Sequence, residues 1–280
     1  MGRSISGFLP VGNSKFKLRQ ASENGIVQGV DFLVRKDFFM DEPLSVVETY
    51  ANVQRVIAEA CAKSGRCIDD IEIIGVTKTH GPDVVREAWD AGIRIFGENK
   101  VQEAAAKIPE SVSQAEWHLI GHLQRNKVRP ALELFSVIHS VDSLRLAEQI
   151  ERVAEEAGQR PQILLEINVS GEASKDGMRP EAAPEVIDYI MGCRNITWAG
   201  LMTMAPFCPD PEMARPVFAK LRNLRDKWER DYGVGLPRLS MGMSNDYRIA
   251  VEEGATWLRL GTVLFGHRPK WRPVCETVED

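Results

Sequence analysis

Short runs of apolar and β-branched residues recur along the chain, each followed by a stretch whose apolar positions repeat at helical spacing. The runs at 71–77, 93–97, 117–120, 136–141, 162–169, 196–202, 236–241 and 257–261 are apolar nearly throughout rather than alternating. That is the pattern of strands covered on both faces, as in a parallel sheet. Between them lie amphipathic segments such as 82–91, 143–157, 211–232 and 246–253. Pro82 suits a first helical turn, and Asp142 or Ser143 is placed to cap the helix that follows. One more helix precedes the first strand. Val46, Val47, Tyr50, Val53, Ile57 and Ala60 form its apolar stripe, and Gly65 stands where a C-terminal cap belongs.

Eight strand–helix alternations imply parallel strands with helical crossovers, and eight is the number that closes into a barrel with a packed interior. A doubly wound open sheet is the rival, but no Gly-x-Gly-x-x-Gly turn follows the first strand. The expected fold is α/β, a (β/α)8 TIM-type barrel with an N-terminal helix and no second β domain, over residues 42–270. Residues 1–41 keep neither helical nor strand periodicity, which predicts a poorly ordered extension or, with Met40 just ahead of the first helix, an artefact of start-codon choice. Residues 271–280 read as a tail.

Composition narrows the function. At 280 residues, 44% hydrophobic and 27% charged, the chain suits one large domain with a sizeable core. A net charge of −5 argues against broad attraction to nucleic acid or anionic lipid, while leaving room for a local basic pocket. Cys61, Cys67, Cys193, Cys208 and Cys275 contain no Cys-x-x-Cys pair, which suits a reducing compartment and bystander thiols. His80, His118, His122, His139 and His267 show no metal-ligand spacing on one helix face, so no metal is expected. No apolar run approaches the roughly 18–20 residues of a membrane span, and no secretory signal is visible. The expected location is cytoplasmic.

In such barrels the chemistry sits at the C-terminal ends of the strands. Lys78 ends the first strand. A partly desolvated lysine amine has a lowered pKa and attacks aldehydes to form an imine; the alternative is a stem lying along the rim with its ammonium in water. Two Gly/Ser/Thr-rich turns, 240–245 and 261–262, follow strands seven and eight, where barrels often bind phosphate through backbone N–H groups. The alternative is a pair of ordinary tight turns. An imine-forming lysine with a phosphate cradle fits a phosphorylated aldehyde, either pyridoxal phosphate or the sugar phosphate of a Schiff-base aldolase. Arg259 lies two residues before Gly261, so strand pleating points both into the barrel. There it would hydrogen-bond a pyridine nitrogen and weaken the ring as an electron sink, or else pair with an inward carboxylate such as Glu166.

With these residues in view, the chain resembles the pyridoxal phosphate homeostasis proteins, the YggS/PROSC family, which share the barrel of the alanine racemase N-terminal domain. The motifs are Gly75-Val-Thr-Lys78-Thr79, Phe96-Gly-Glu98-Asn99, Trp117-His118-Leu-Ile-Gly121, Asn168-Val-Ser170 with Ser174-Lys175-Asp-Gly177, Leu239-Ser240-Met-Gly242-Met-Ser244, and Arg259-Leu-Gly261-Thr262. They run in order from about residue 43 to 268. The resemblance implies that Lys78 carries pyridoxal 5′-phosphate as a Schiff base. Ser240, Gly242, Ser244, Gly261 and Thr262 would surround its phosphate. Arg259 would face the ring nitrogen, and Asn99 would lie near the ring. Lys100 stands where the family usually has Tyr, His122 where Pro is common, and His80 where Lys or Pro is more usual. Lys100, Lys127 and Lys175 are further rim amines that would touch the cofactor or share in its transfer.

Family members bind the cofactor and serve vitamin B6 balance without established turnover. A racemase of this barrel type closes its site with a second β-rich domain in a dimer, and the residues after 270 leave no room for one. The expectation is therefore a monomeric carrier with an open site, passing its cofactor to apoenzymes that require it. A pyridoxal-phosphate racemase or lyase using Lys78 as base is the alternative.

Overall fold

The computed structural model describes residues 44–172 and 176–266. The extension expected over 1–41, the tail over 271–280, and Ser174 and Lys175 lie outside the described residues. The mostly apolar runs become β1 (Glu72–Val76), β2 (Ile95–Glu98), β3 (Glu116–Leu119), β4 (Val137–Val141), β5 (Gln162–Glu166), β6 (Thr197–Met202), β7 (Arg238–Ser240) and β8 (Trp257–Leu260). All pair in parallel, in sequence order, and β8 returns to β1 with Glu72 opposite Trp257, closing the barrel.

The crossovers are α2 (Pro82–Asp90), α3 (Val101–Lys107), α4 (Val128–Leu134), α5 (Leu144–Ala157), α6 (Ala183–Gly192), α7 (Arg215–Tyr232) and α8 (Tyr247–Glu252). α1 (Val46–Ser64) precedes β1 and α9 (Thr262–Phe265) follows β8. α1 starts at a capping box, in which Ser45 accepts from the Glu48 N–H while the Glu48 carboxylate takes the Ser45 N–H; Gly65 is its C-cap. Its stripe buries Val53, Ile57, Ala60 and Cys61 against the barrel wall. Arg66, just past it, donates to the Val251 and Ala255 carbonyls, and Thr49 donates to that of Leu264. The first helix is thereby tied to the end of the barrel.

Period-two pleating splits the apolar residues into two cores. The larger lies between strands and helices, and a smaller one of Ile74, Ile95, Val137, Leu164, Ala199, Met202 and Trp257 fills the barrel. Several expected elements are shorter in the structure, the seventh strand shrinking from 236–241 to Arg238–Ser240, and two others show a local cause. The fifth strand, read as 162–169, ends at Glu166, because the Asn168 side chain accepts from Ser170 Oγ and the Gly171 N–H and bends the chain. The helix read as 211–232 opens with a 3-10 turn over Pro211–Ala214 before α7, since Pro216 has no N–H to donate back.

Candidate functional site

Lys78 follows β1 on a loop pinned from below. Thr79 has φ +68, the one positive φ among described non-glycine residues. Such backbone strain persists only where neighbours over-determine it. Here the Thr79 N–H donates to Glu103, and the fully buried Lys107 ammonium donates to the Thr77 carbonyl at 2.8 Å, Glu98 Oε1 at 2.7 Å and Glu103 at 3.1 Å. Thr77 Oγ1 adds a bond to Glu98 Oε1. Burial pushes the Glu98 carboxyl up against the opposing pull of Lys107. This cluster fixes the direction in which the loop presents Lys78.

Across the barrel mouth, the β7–α8 and β8–α9 turns are joined, with the Val263 N–H donating to Ser244 Oγ at 3.2 Å. The first turn is held by Asp246, which accepts from the Met243 N–H, and by the Arg259 N–H donating to the Gly242 carbonyl. Gly242 sits at φ +94, and a Cβ there would come 2.5 Å from that of Ala250, so both conformation and space demand glycine. Gly121 answers a different demand. A Cβ on it would lie 2.5 Å from the Asn99 carbonyl, so the close approach of the β3 end holds Asn99 in place.

Arg259 projects inward, as strand period two requires. It is 4% exposed, with Nη1 donating to Ser240 Oγ at 2.6 Å and Nη2 to the Thr203 carbonyl at 2.9 Å. Desolvation lowers its pKa to about 10, against the pull of Glu166 and Asp246, so it remains a cation at neutral pH. No ion pair joins it to Glu166. The Glu166 carboxyl is itself raised to about 7 by burial.

These groups meet in one cavity of about 360 Å³. Lys78, Asn99, Ser244, Arg259, Gly261 and Thr262 line it, so the strand-end lysine and the two glycine-bearing turns border a common space. Ser240 and Gly242 do not line it. Ser240 is fully buried beneath, between Arg259 and the His139 ring, while Gly242 shapes the turn. Lys100 and Lys127 line an adjoining cavity of about 250 Å³ that shares Asn99 with the first. Among the described residues no group of three or more His, Cys, Asp or Glu could hold a metal, and no helix is long and apolar enough to cross a membrane.

The family described as alanine racemase, N-terminal domain, matches residues 51–269. A pyridoxal phosphate homeostasis protein of Aquifex aeolicus is 42% identical over 227 residues, 80% of this chain and 99% of that protein. The chain belongs to the pyridoxal phosphate homeostasis protein family. The Homo sapiens member is 35% identical over 232 residues, covering 77% of this chain and 84% of its own. PipY of Synechococcus elongatus PCC7942, solved with PLP bound, has a TM-score of 0.70 and 36% identity over 79% of this chain and 100% of that one. Alanine racemase of Clostridium difficile shares the fold alone, at TM-score 0.62 and 16% identity over 78% of this chain and 60% of its own.

For a member of this family, three parts of the site escaped the sequence reading. Lys107 gave a weak signal, as a lysine four residues after Glu103 on a short amphipathic helix. His139 gave a better one, a polar residue on a strand whose burial is complete. Met204 and Phe207, the apolar lip of the cavity, gave none, because the loop after β6 has no periodicity to read; Phe207 is 80% exposed.

Proposed function

We propose that this chain holds pyridoxal 5′-phosphate in the Lys78 cavity as a Schiff base and serves intracellular vitamin B6 homeostasis as a carrier, supplying apoenzymes that require the cofactor. The residues present fit that group. Lys78 offers the primary amine, which condenses with the aldehyde and releases water. Ser244 and the Gly261–Thr262 turn offer hydroxyl and backbone donors to the phosphate, in a space where a Cβ on Gly261 would lie 3.3 Å from the Val76 carbonyl. Asn99 borders the ring. When bound, the cofactor supplies a reactive aldehyde and an electron-withdrawing ring.

The observation that carries the carrier reading is Arg259. A buried guanidinium has N–H donors and no acceptor, so the ring nitrogen it meets stays unprotonated. An unprotonated pyridine stabilises a carbanion poorly, which favours storage over turnover. Ser240 enters this reading as a support for Arg259 rather than as a direct phosphate contact, and Gly242 as the residue that lets the turn form.

Titrating the protein with pyridoxal phosphate tests the reading. Wild type should gain the absorbance band of a pyridoxal imine, and Lys78→Ala should not. Incubation with amino acids in deuterated water should give no α-hydrogen exchange above background. Exchange abolished by Lys78→Ala would replace the carrier with a racemase or lyase. No imine band in wild type would remove the cofactor altogether.

A further inference from the structure

We propose that Glu116, His118, His139 and Ser240 form a one-way hydrogen-bond relay through the barrel interior that orients Arg259, making the two histidines and the serine positioning residues for the cavity's cation. The proposal rests on the cavity being the ligand site, as argued above, while its first test needs no ligand.

The relay is continuous. Glu116 Oε1 lies 3.0 Å from His118 Nε2, His118 Nδ1 lies 3.0 Å from His139 Nε2, His139 Nδ1 lies 2.8 Å from Ser240 Oγ, and Arg259 Nη1 lies 2.6 Å beyond. His118, His139 and Ser240 are fully buried, whereas the Glu116 side chain is 46% exposed at the opposite rim. Both imidazoles pack on the Trp257 ring, with centroids 4.8 and 5.0 Å away, so neither is free to turn. Among the described residues, the other charges acting on His118 are Glu72 and Arg238, and the titratable groups acting on His139 are His118 and Arg259.

Proton counting fixes the direction from both ends. A carboxylate only accepts, so His118 Nε2 carries a proton. Burial disfavours imidazolium at both rings, so His118 is neutral and its Nδ1 is bare. His139 Nε2 must then donate to it, which leaves His139 Nδ1 bare and able to take the Ser240 proton. At the other end a guanidinium only donates, so Ser240 Oγ accepts from Arg259 and directs its own proton toward His139. Every link has one proton, each pointing toward Glu116, with a cation at one end and an anion at the other. Such a chain polarises cooperatively. It commits Ser240 as an acceptor and, with the Thr203 carbonyl, fixes the guanidinium by two acceptors. The N–H groups not so engaged remain for a ligand.

Nitrogen-15 NMR of histidine-labelled, ligand-free protein near neutral pH should find both rings as neutral Nε2–H tautomers. Glu116→Leu, at the far rim, should shift the His118 Nε2–H resonance by removing its acceptor while leaving both rings as Nε2–H tautomers, because Arg259 and Ser240 set the direction from the other end. Ser240→Ala should weaken pyridoxal phosphate binding about tenfold, the size expected for one lost hydrogen bond to a charged group. It should also shift the bound ligand's absorption band, and Ser240→Thr, which keeps the hydroxyl, should restore most of both. A His139 Nδ1–H tautomer in wild type would overturn the relay. So would unchanged His118 shifts in Glu116→Leu, or Ser240→Ala binding within about twofold of wild type with an unshifted band. If wild type bound no ligand, the proposed function would fall while the tautomer measurement still judged the relay.

Discussion

Replacing Lys107 with Met is the sharpest perturbation of the loop that carries Lys78. Met occupies most of the volume of the stem, so packing is nearly kept and the change is electrostatic. Lys107 and Glu98 are both fully buried, and the lost ammonium leaves Glu98 with Thr77 Oγ1 as its partner at Oε1 and none at Oε2. Breaking a buried pair from one side costs about 3–5 kcal/mol, because the remaining charge is stranded in the interior. Glu98 can escape by taking up a proton, which burial already favours in the intact protein. A carboxyl whose folded pKa is raised contributes its stability at low pH and loses it as pH rises through that value. The deficit of Lys107→Met should therefore be small near pH 5 and reach about 3–5 kcal/mol near pH 8. Urea denaturation with linear extrapolation at both pH values measures it. Adding Glu98→Gln should recover at least about half of the deficit near pH 8. A deficit under about 1 kcal/mol at both pH values would refute the reasoning, since the cluster would then not be an interior ion pair.

Three further outcomes follow from the same structure. Gly121→Ala should cost about 1–3 kcal/mol and weaken cofactor binding, because its Cβ would lie 2.5 Å from the Asn99 carbonyl; wild-type stability and affinity would contradict this. Glu166→Gln should flatten the stability profile of the protein between about pH 4.5 and 7. The raised Glu166 carboxyl favours folding below its ordinary 4.5 and loses that contribution as pH climbs through about 7, a span worth up to about 3 kcal/mol; parallel profiles for the two proteins would count against it. Ser45→Ala removes the side-chain half of the capping box, the hydroxyl that accepts from the Glu48 N–H, and should lower stability by about 1 kcal/mol, read from the thermal midpoint.

Much of this architecture was legible because a buried parallel strand is apolar on both faces, so its run stands out whatever its neighbours. The same pleating argument placed Arg259 inside the barrel correctly. Its partner was not legible: pleating gives a direction, and whether the guanidinium meets Glu166 or Ser240 depends on strand stagger across the barrel. Ser240 illustrates this. As part of a Ser/Gly-rich turn it read as a phosphate contact, yet it is the last residue of β7 and lies under Arg259 rather than in the cavity. The end of β5 was misjudged for a local reason, since Ile167 and Val169 are apolar enough to extend the run while the Asn168 side chain has already turned it. The buried Lys107 cluster was only half legible: Glu103 stands four residues before it on α3, but Glu98 comes from β2 and no spacing predicts that pairing.

The central claim is a covalent bond at one named amine. Borohydride reduction of the protein mixed with pyridoxal phosphate, followed by peptide mapping, reads it directly. The account predicts a single phosphopyridoxyl group, on Lys78. Modification at Lys100 or Lys127 with Lys78 untouched, or no stable adduct at any lysine, would contradict it.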